Sequence, residues 1–210
     1  KFTQSVIDLS GGVLFILLCL TAISAIILGM GMTTTAVYIT VAALIVPSLI
    51  EAGIIPIAAH MFAFYFGVVS TITPPVALAS FAGAAIAKSP PMSTAVESSK
   101  VGIAKYIVPF AFVYNPSLLM EGPIIWSFYS LITVLLAYWL MTLGLEGWFN
   151  GKLNASKRTL ALLGSVSLLI PPLENIYGLD GFYYNSFGIL ILLIIYFLQD
   201  KLNFRFGTTS

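Results

Sequence analysis

The sequence predicts an all-α membrane protein. Three observations carry that prediction: the composition, the spacing of the apolar runs and the placement of lysine and arginine. Hydrophobic residues make up 59% of the 210-residue chain and charged residues 8%, with a mean hydropathy of +1.02. Soluble domains carry about 25% charged residues, so a lipid bilayer is the solvent that suits this chain. At about 20 apolar residues per crossing, there is room for roughly five to seven membrane segments and for no sizeable aqueous domain. The net charge of +1 gives no basis for nucleic acid as a partner. Cys19 is the only cysteine, which excludes a disulfide framework or a thiolate metal site.

The apolar runs are residues 12–28, 36–50, 57–87, 103–119, 122–144, 159–173 and 182–199. Only 122–144 reads as an ordinary spanning helix. Residues 12–28 and 36–50 are short for a crossing, and 57–87 is too long for one and breaks at "STITPPV". The expected architecture is a re-entrant helical hairpin over 12–50, a proline-broken transmembrane helix over 57–87, an amphipathic helix or solvated loop over 88–105, a helix over 103–119, and further spans to the C-terminus, making about four transmembrane helices after the broken one. A boundary near residue 120 divides a core, 1–120, from an extension, 121–210.

Charge placement supports the same division, because cytoplasmic loops of membrane proteins collect Lys and Arg. Lys88, Lys100 and Lys105 form one cluster, Lys152, Lys157 and Arg158 a second, and Lys201 and Arg205 a third. Two segments separate successive clusters, the parity that two crossings require. Glu51, Glu121, Glu174 and Asp180 are therefore expected outside and the C-terminal tail inside. The chain opens on "KFTQSVIDLSGG", without an initiator Met or signal peptide pattern, and reads as a fragment whose missing part lies upstream.

The two irregular stretches are the informative ones. In hydrocarbon every backbone amide needs an internal partner, so unwound peptide survives only when buried in protein or facing a polar cavity. In "GMGMTTT", Gly29 and Gly31 permit positive φ and close backbone approach, and Thr33 to Thr35 can cap a second arm. Arms of about 17 and 15 residues reach about 22–26 Å, short of a 30 Å crossing, so the chain is expected to turn back near the midplane. In "STITPPV", Pro74 and Pro75 remove two donors, which leaves carbonyls around Ser70 to Thr73 bare and lets a second half-helix start at Pro75. Bare carbonyls and hydroxyls suit a hard cation such as Na⁺, and helix N-termini suit an anion. Against this stands a packing explanation: threonine hydroxyls bond back one turn, and glycines admit tight helix contacts. The pairing of a hairpin with an interrupted helix about 40 residues on favours a binding site, because it forms half of an inverted-repeat transporter core.

Other residues carry less. His60 is the sole histidine, with no second imidazole or nearby Cys, which favours a structural hydrogen bond or a proton-linked group over a metal role. Glu51 reads as a charge at the hairpin terminus, and Glu121 and Glu174 as interfacial loop acids. "GFYYN" reads as part of an aromatic belt. No Ser/His/Asp set, HExxH motif or phosphate-binding glycine loop is present, so the expectation is that this is not an enzyme.

The stretch "LGMGMTTTAVYITVAALIVPSLIEAGIIPIAAHMFAFYFGVVSTITPPVALASFAGAAIA", followed by "VGIAKYIVPFAFVYNPSLL", resembles the large permease subunit of TRAP (tripartite ATP-independent periplasmic) transporters over roughly residues 13–120. The tail from "EGPIIWSFYS" to "LLIPPLENIYGLDG" is similar to the extension of the fused-permease subfamily that works with TAXI-type binding proteins. The resemblance implies an elevator-type, Na⁺-coupled importer in the bacterial inner membrane, whose small organic anion, typically a carboxylate, arrives on a soluble periplasmic binding protein. This chain would supply the second hairpin and the second broken helix. A missing N-terminal half, including a small membrane subunit region, would supply the first of each.

Carried over by position, Gly29, Gly31, Thr33, Thr34, Ser70, Thr71 and Thr73 would hold Na⁺, and Thr35, Thr73, Pro74 and Pro75 would face the substrate. No arginine lies near either break, so a substrate anion must meet amides and hydroxyls or groups in the missing half. Two other functions fit the residues: an ion-coupled carrier that binds its substrate directly, and a membrane scaffold that transports nothing.

Overall fold

The computed structural model describes residues 8–172, 175–176 and 179–206. Lys1 and Glu174 lie outside the described residues. The chain is mostly helical and packs as two compact units, Lys1–Leu119 and Met120–Ser210.

In the first unit, α1 spans Leu14–Gly29, α2 Thr34–Leu44, α3 Val46–Glu51, α4 Pro56–Val69, α5 Leu78–Ala87, α6 Pro91–Val101 and α7 Ala104–Tyr114. A 3₁₀ turn, Pro116–Leu119, closes it. The apolar run 36–50 is thus two helices, parted at Ile45 just before Pro47, whose missing amide cannot continue the ladder. α4 begins with Pro56 at its first turn, where no amide donor is needed. It is the central element, packed against α1, α2 and α7. Leu18 and Ala25 of α1, Val37 and Val41 of α2, and Ala58, Phe62 and Phe66 of α4 are buried together. Phe62 and Phe66 stack edge-on with Phe110 of α7 at 5.3 and 5.8 Å between ring centroids.

The helices stay apolar on the faces that do not pack. Phe15, Ile23 and Ile27 of α1 are more than half exposed. A helix hydrophobic all round belongs in a large protein core or in lipid.

Within residues 88–105 a helix, α6, covers Pro91–Val101, in place of a solvated loop. It packs beside α5, with Ser89 Oγ and Thr94 Oγ1 2.8 Å apart across the turn at its start. Of the expected spans, the described residues give one of full crossing length and shorter apolar helices elsewhere, among them Gly181–Phe197. Residues 103–119 give only 11 helical residues before Asn115, about 16 Å of rise, with Pro109 inside. Among the described residues, Ile124–Glu146 is the one helix long and apolar enough to cross a membrane.

That helix, α8, opens the second unit. Its 23 residues rise about 35 Å, against about 30 Å of hydrocarbon. Ile125, Phe128, Ile132 and Leu135 project outward along it. α9 spans Ala155–Leu169, β1 Asn175–Ile176, β2 Leu179–Asp180 and α10 Gly181–Phe206; the two strands pair antiparallel. α9 packs against α8 and α10 through small residues, among them Ala137, Ala161 and Gly164, which let the backbones approach. Phe182 of the "GFYYN" stretch lies 5.0 Å from the Tyr129 ring and 5.8 Å from that of Trp126.

Two polar side chains staple this unit. Arg158 Nε donates to Gly144 O at 2.9 Å and a guanidinium nitrogen to Leu145 O at 2.7 Å, so a cation caps the carbonyl end of α8. Asn185 is fully buried on α10. With its amide turned so that Nδ2 donates to the Ser167 and Ile170 carbonyls at 3.0 and 3.2 Å, it satisfies oxygens that α9 leaves unpaired at its end. Asn185→Leu strands both and is expected to cost about 1–3 kcal/mol. Unfolding in mixed detergent followed by far-UV circular dichroism measures this, and an unchanged midpoint would show that the amide holds nothing.

Candidate functional site

Both irregular stretches are interrupted in the structure, and they meet. α1 ends at Gly29, the chain turns through Met30–Met32, and α2 starts at Thr34. Gly31 takes φ +80°, the left-handed conformation that favours glycine. Gly29 serves differently. It stays helical, and a Cβ there would lie 2.6 Å from Ser70 Oγ and 2.7 Å from the Gly67 carbonyl oxygen. The end of the first arm is therefore seated against the end of α4. The second arm is as close: a Cβ on Gly67 would lie 2.5 Å from Val37 Cγ1.

The expected threonine cap does not form. Thr33 occupies the N-cap position of α2 with extended geometry (ψ 153°), but no side-chain cap hydrogen bond is made. Thr33, Thr34 and Thr35 are all exposed, and among the described residues their hydroxyls accept or donate no side-chain hydrogen bond. The physical reason is competition: the chain enters the helix from a glycine turn, and the hydroxyls point to the surface instead of back to the first-turn amides. Those amides remain available, as helix N-termini leave them.

The second break needs two corrections. α5 starts at Leu78, not at Pro75, because residues 70–77 form consecutive turns first. Thr71 N, Ile72 N and Thr73 N donate to Val68 O, Val69 O and Ser70 O, and Ala77 N then donates to Thr73 O. Nor are the carbonyls of Ser70 to Thr73 bare. Ser70 O accepts from Thr73 N (3.2 Å), Thr71 O from Ala79 N (3.0 Å), Ile72 O from Ser99 Oγ (3.0 Å) and Thr73 O from Ala77 N (3.2 Å). Ser70 O, Thr71 O and Ile72 O have lost their helical partners and gained others, Thr73 O keeps the usual four-residue spacing, and each oxygen retains a second lone pair.

The hydroxyls of this break bond back one turn, as the packing explanation anticipates. Ser70 Oγ donates to Gly67 O (2.6 Å), Thr71 Oγ1 to Val68 O (2.8 Å) and Thr73 Oγ1 to Val69 O (2.7 Å). Pro74 is half-buried and Pro75 exposed. Of the predicted site residues, the structure brings Gly29 against Ser70. Gly31 has open space around it.

Two residues that sequence reasoning passed over complete the break. Tyr106 of α7 places its hydroxyl 2.6 Å from Thr73 Oγ1 and 3.4 Å from Ser99 Oγ of α6. The available signal was weak: Ser99 lies in the stretch read as amphipathic, 88–105, and Tyr106 seven residues on in the apolar run 103–119. Beside them a cleft of about 440 Å³, lined by Tyr65, Val68, Thr71, Ile72, Lys105 and Val108 among others, opens between α4 and α7. His60 makes a structural contact, with Nδ1 3.1 Å from the Tyr38 hydroxyl. Glu51 is exposed at the end of α3, and Glu121 is exposed as well.

Among the described residues no cluster of three or more His, Cys, Asp or Glu side chains could hold a metal. The donors at the break are neutral oxygens, which fit a hard monovalent cation and not a transition metal.

An apolar, mostly helical chain with one helix long enough to cross a membrane and two interrupted helical elements in contact suits a membrane protein. The family model described as "Tripartite ATP-independent periplasmic transporter, DctM component" matches residues 1–127, and the chain belongs to that family. It is a family of transporters and not of enzymes, and membership implies association with a periplasmic binding protein and a small membrane subunit. No match was found among curated proteins or solved structures.

The Gly29 contact can be tested by stability. Gly29→Ala drives a methyl onto a backbone oxygen and is expected to cost about 1–3 kcal/mol. Adding Ser70→Ala removes the nearer atom and restores only part of the loss, because Gly67 O stays. Melting of the purified permease in detergent reads both, and full recovery in the double variant would contradict the backbone contact.

Proposed function

We propose that this chain carries the C-terminal half of the core of a sodium-coupled secondary transporter. It imports a small organic anion, of the carboxylate class, handed over by a periplasmic binding protein of the TAXI type. The observation that supports this best is the seating of the α1–α2 turn against the α4–α5 break. Two interrupted elements gather neutral oxygen donors on one side and free helix amides on the other. α1, the turn and α2 form the re-entrant hairpin, with arms of 16 and 11 helical residues too short for a full crossing. α4 and α5 form the broken helix facing it.

Within this reading the chain's own residues divide the labour. Gly29, Gly31, Thr33, Thr34, Ser70, Thr71 and Thr73 surround Na⁺, which supplies the coupling when bound. Second lone pairs of the break carbonyls and of the Thr71 and Thr73 oxygens replace part of its water. The exposed Thr35 hydroxyl and the first amides of α2 meet the substrate carboxylate, with Thr73, Pro74 and Pro75 shaping the opposite wall. Charge on the substrate is thus met by dipoles, since no arginine is present nearby. The protein sits in a bacterial inner membrane on this reading, and the lysine and arginine clusters support a cytoplasmic C-terminus. Residues 121–210 form the fused-permease extension, and the rest of the permease supplies the first hairpin and the first broken helix.

The full-length permease in liposomes, given binding protein and labelled substrate, tests this. Replacing external Na⁺ by choline is expected to abolish uptake. Thr73→Val is expected to raise the half-saturating Na⁺ concentration about five- to thirtyfold, the equivalent of about 1–2 kcal/mol. Gly31→Leu, with a side chain where φ is +80°, is expected to abolish uptake. Uptake of free substrate without the binding protein would instead identify a directly binding carrier. Transport indifferent to both substitutions would remove the site.

A further inference from the structure

Of the four carbonyls in the break, three are bonded to main-chain amides and one is not. Ile72 O depends on a side chain, the Ser99 hydroxyl of α6, at 3.0 Å. That hydroxyl has a second acceptor at the same distance, the Ala95 carbonyl one turn back in its own helix, also at 3.0 Å. A serine has one hydrogen to give, so two oxygens share one proton.

The neighbouring hydroxyls cannot relieve the shortage. Thr73 gives its hydrogen to Val69 O, an acceptor only, so Tyr106 must be the donor in its 2.6 Å contact with Thr73 Oγ1. Tyr106 has then committed its hydrogen to Thr73 and stands 3.4 Å from Ser99. Ser99 is held at this place by a second contact between the same elements. Gly102, at the end of α6, gives room to the Ile72 side chain, whose Cδ1 lies 2.7 Å from where a Cβ would be.

We infer that Ser99 is a positioning residue that keeps the Ile72 carbonyl in reserve for a cation. Its proton satisfies Ile72 O until a cation takes that oxygen, and then passes to Ala95 O by rotation about one bond, with no hydrogen bond lost. The other three carbonyls can share only a second lone pair, because their amide partners are fixed by the backbone. Ile72 O is the one that can be released whole. The inference rests on the sodium-coupled reading above and adds to it a competitor for the ion.

A competitor makes a prediction of sign. A purely structural serine would, when removed, loosen the break and weaken Na⁺ binding. A competing donor, when removed, strengthens it, because the carbonyl no longer has a partner to give up. For the full-length permease in detergent, Na⁺ affinity is read from the rise in melting temperature as NaCl replaces choline chloride at constant ionic strength, and in liposomes from the Na⁺ dependence of uptake. Ser99→Ala is expected to lower the half-saturating Na⁺ concentration about two- to tenfold in both, the range of one net hydrogen bond. Ser99→Thr, which keeps the hydroxyl, is expected to return it to the wild-type value. Ser99→Cys, a weak donor, is expected to fall between and serves in place of alanine if that variant does not fold.

A wild type that responds to Na⁺, with a Ser99→Ala value unchanged or raised, would overturn the inference and leave the sodium reading standing. A wild type that neither melts higher in Na⁺ nor needs it for uptake would overturn the reading itself, and the inference with it.

Discussion

Unwound peptide at membrane depth must find partners for its own amides and carbonyls, and that single requirement organises the first unit of this protein. The broken helix meets it by turns. Residues 70–77 bond to one another at three- and four-residue spacing, Thr71 O reaches forward to Ala79 N, and the oxygen left over, Ile72 O, is met from α6. The glycine turn meets it by exposure. Its threonines and first amides stay at the surface, where a polar ligand can use them. The carbonyls of one break are partnered and the first amides of the other stay open, which is the contrast the proposed site relies on.

The same requirement shapes the second unit to a different end. There the polar groups finish helices. Arg158 covers the carbonyl end of α8, and Asn185 covers that of α9. Helix faces between these staples carry small residues, so backbones come close without a hydrophobic drive that lipid could not supply. The functional reading rests on the contact between interrupted helices, which lies within residues 1–119.

What the sequence made legible was local chemistry. Pro74 and Pro75 announce a break because each removes a donor, and the glycines of "GMGMTTT" announce a turn because Gly31 can take a left-handed φ. The long apolar run 122–144 announced α8 for the same reason of local composition. Long-range geometry was not legible. The start of α5 moves from Pro75 to Leu78 as Ala79 N donates to Thr71 O eight residues back, a bond that no propensity encodes. Ser99 and Tyr106 escaped notice because their partners, Ile72 and Thr73, lie 27 and 33 residues away. Of the two uses the sequence allows Gly29, positive φ and close backbone approach, the structure takes the second: it is helical and lacks a side chain where Ser70 and Gly67 need the space.

The central claim is that the two interrupted elements touch, and a cross-link tests it most directly. A Cβ at Gly67 would stand 3.8 Å from Val37 Cβ, the mean spacing within a disulfide. In the full-length permease, with Cys19→Ala removing this chain's native thiol, Val37→Cys paired with Gly67→Cys is predicted to oxidise to an intramolecular disulfide under mild copper-phenanthroline treatment in native membranes. Two thiols still free after that treatment, titrated in the denatured protein, would contradict the account, for they would place the second arm of the hairpin away from the helix it is said to face.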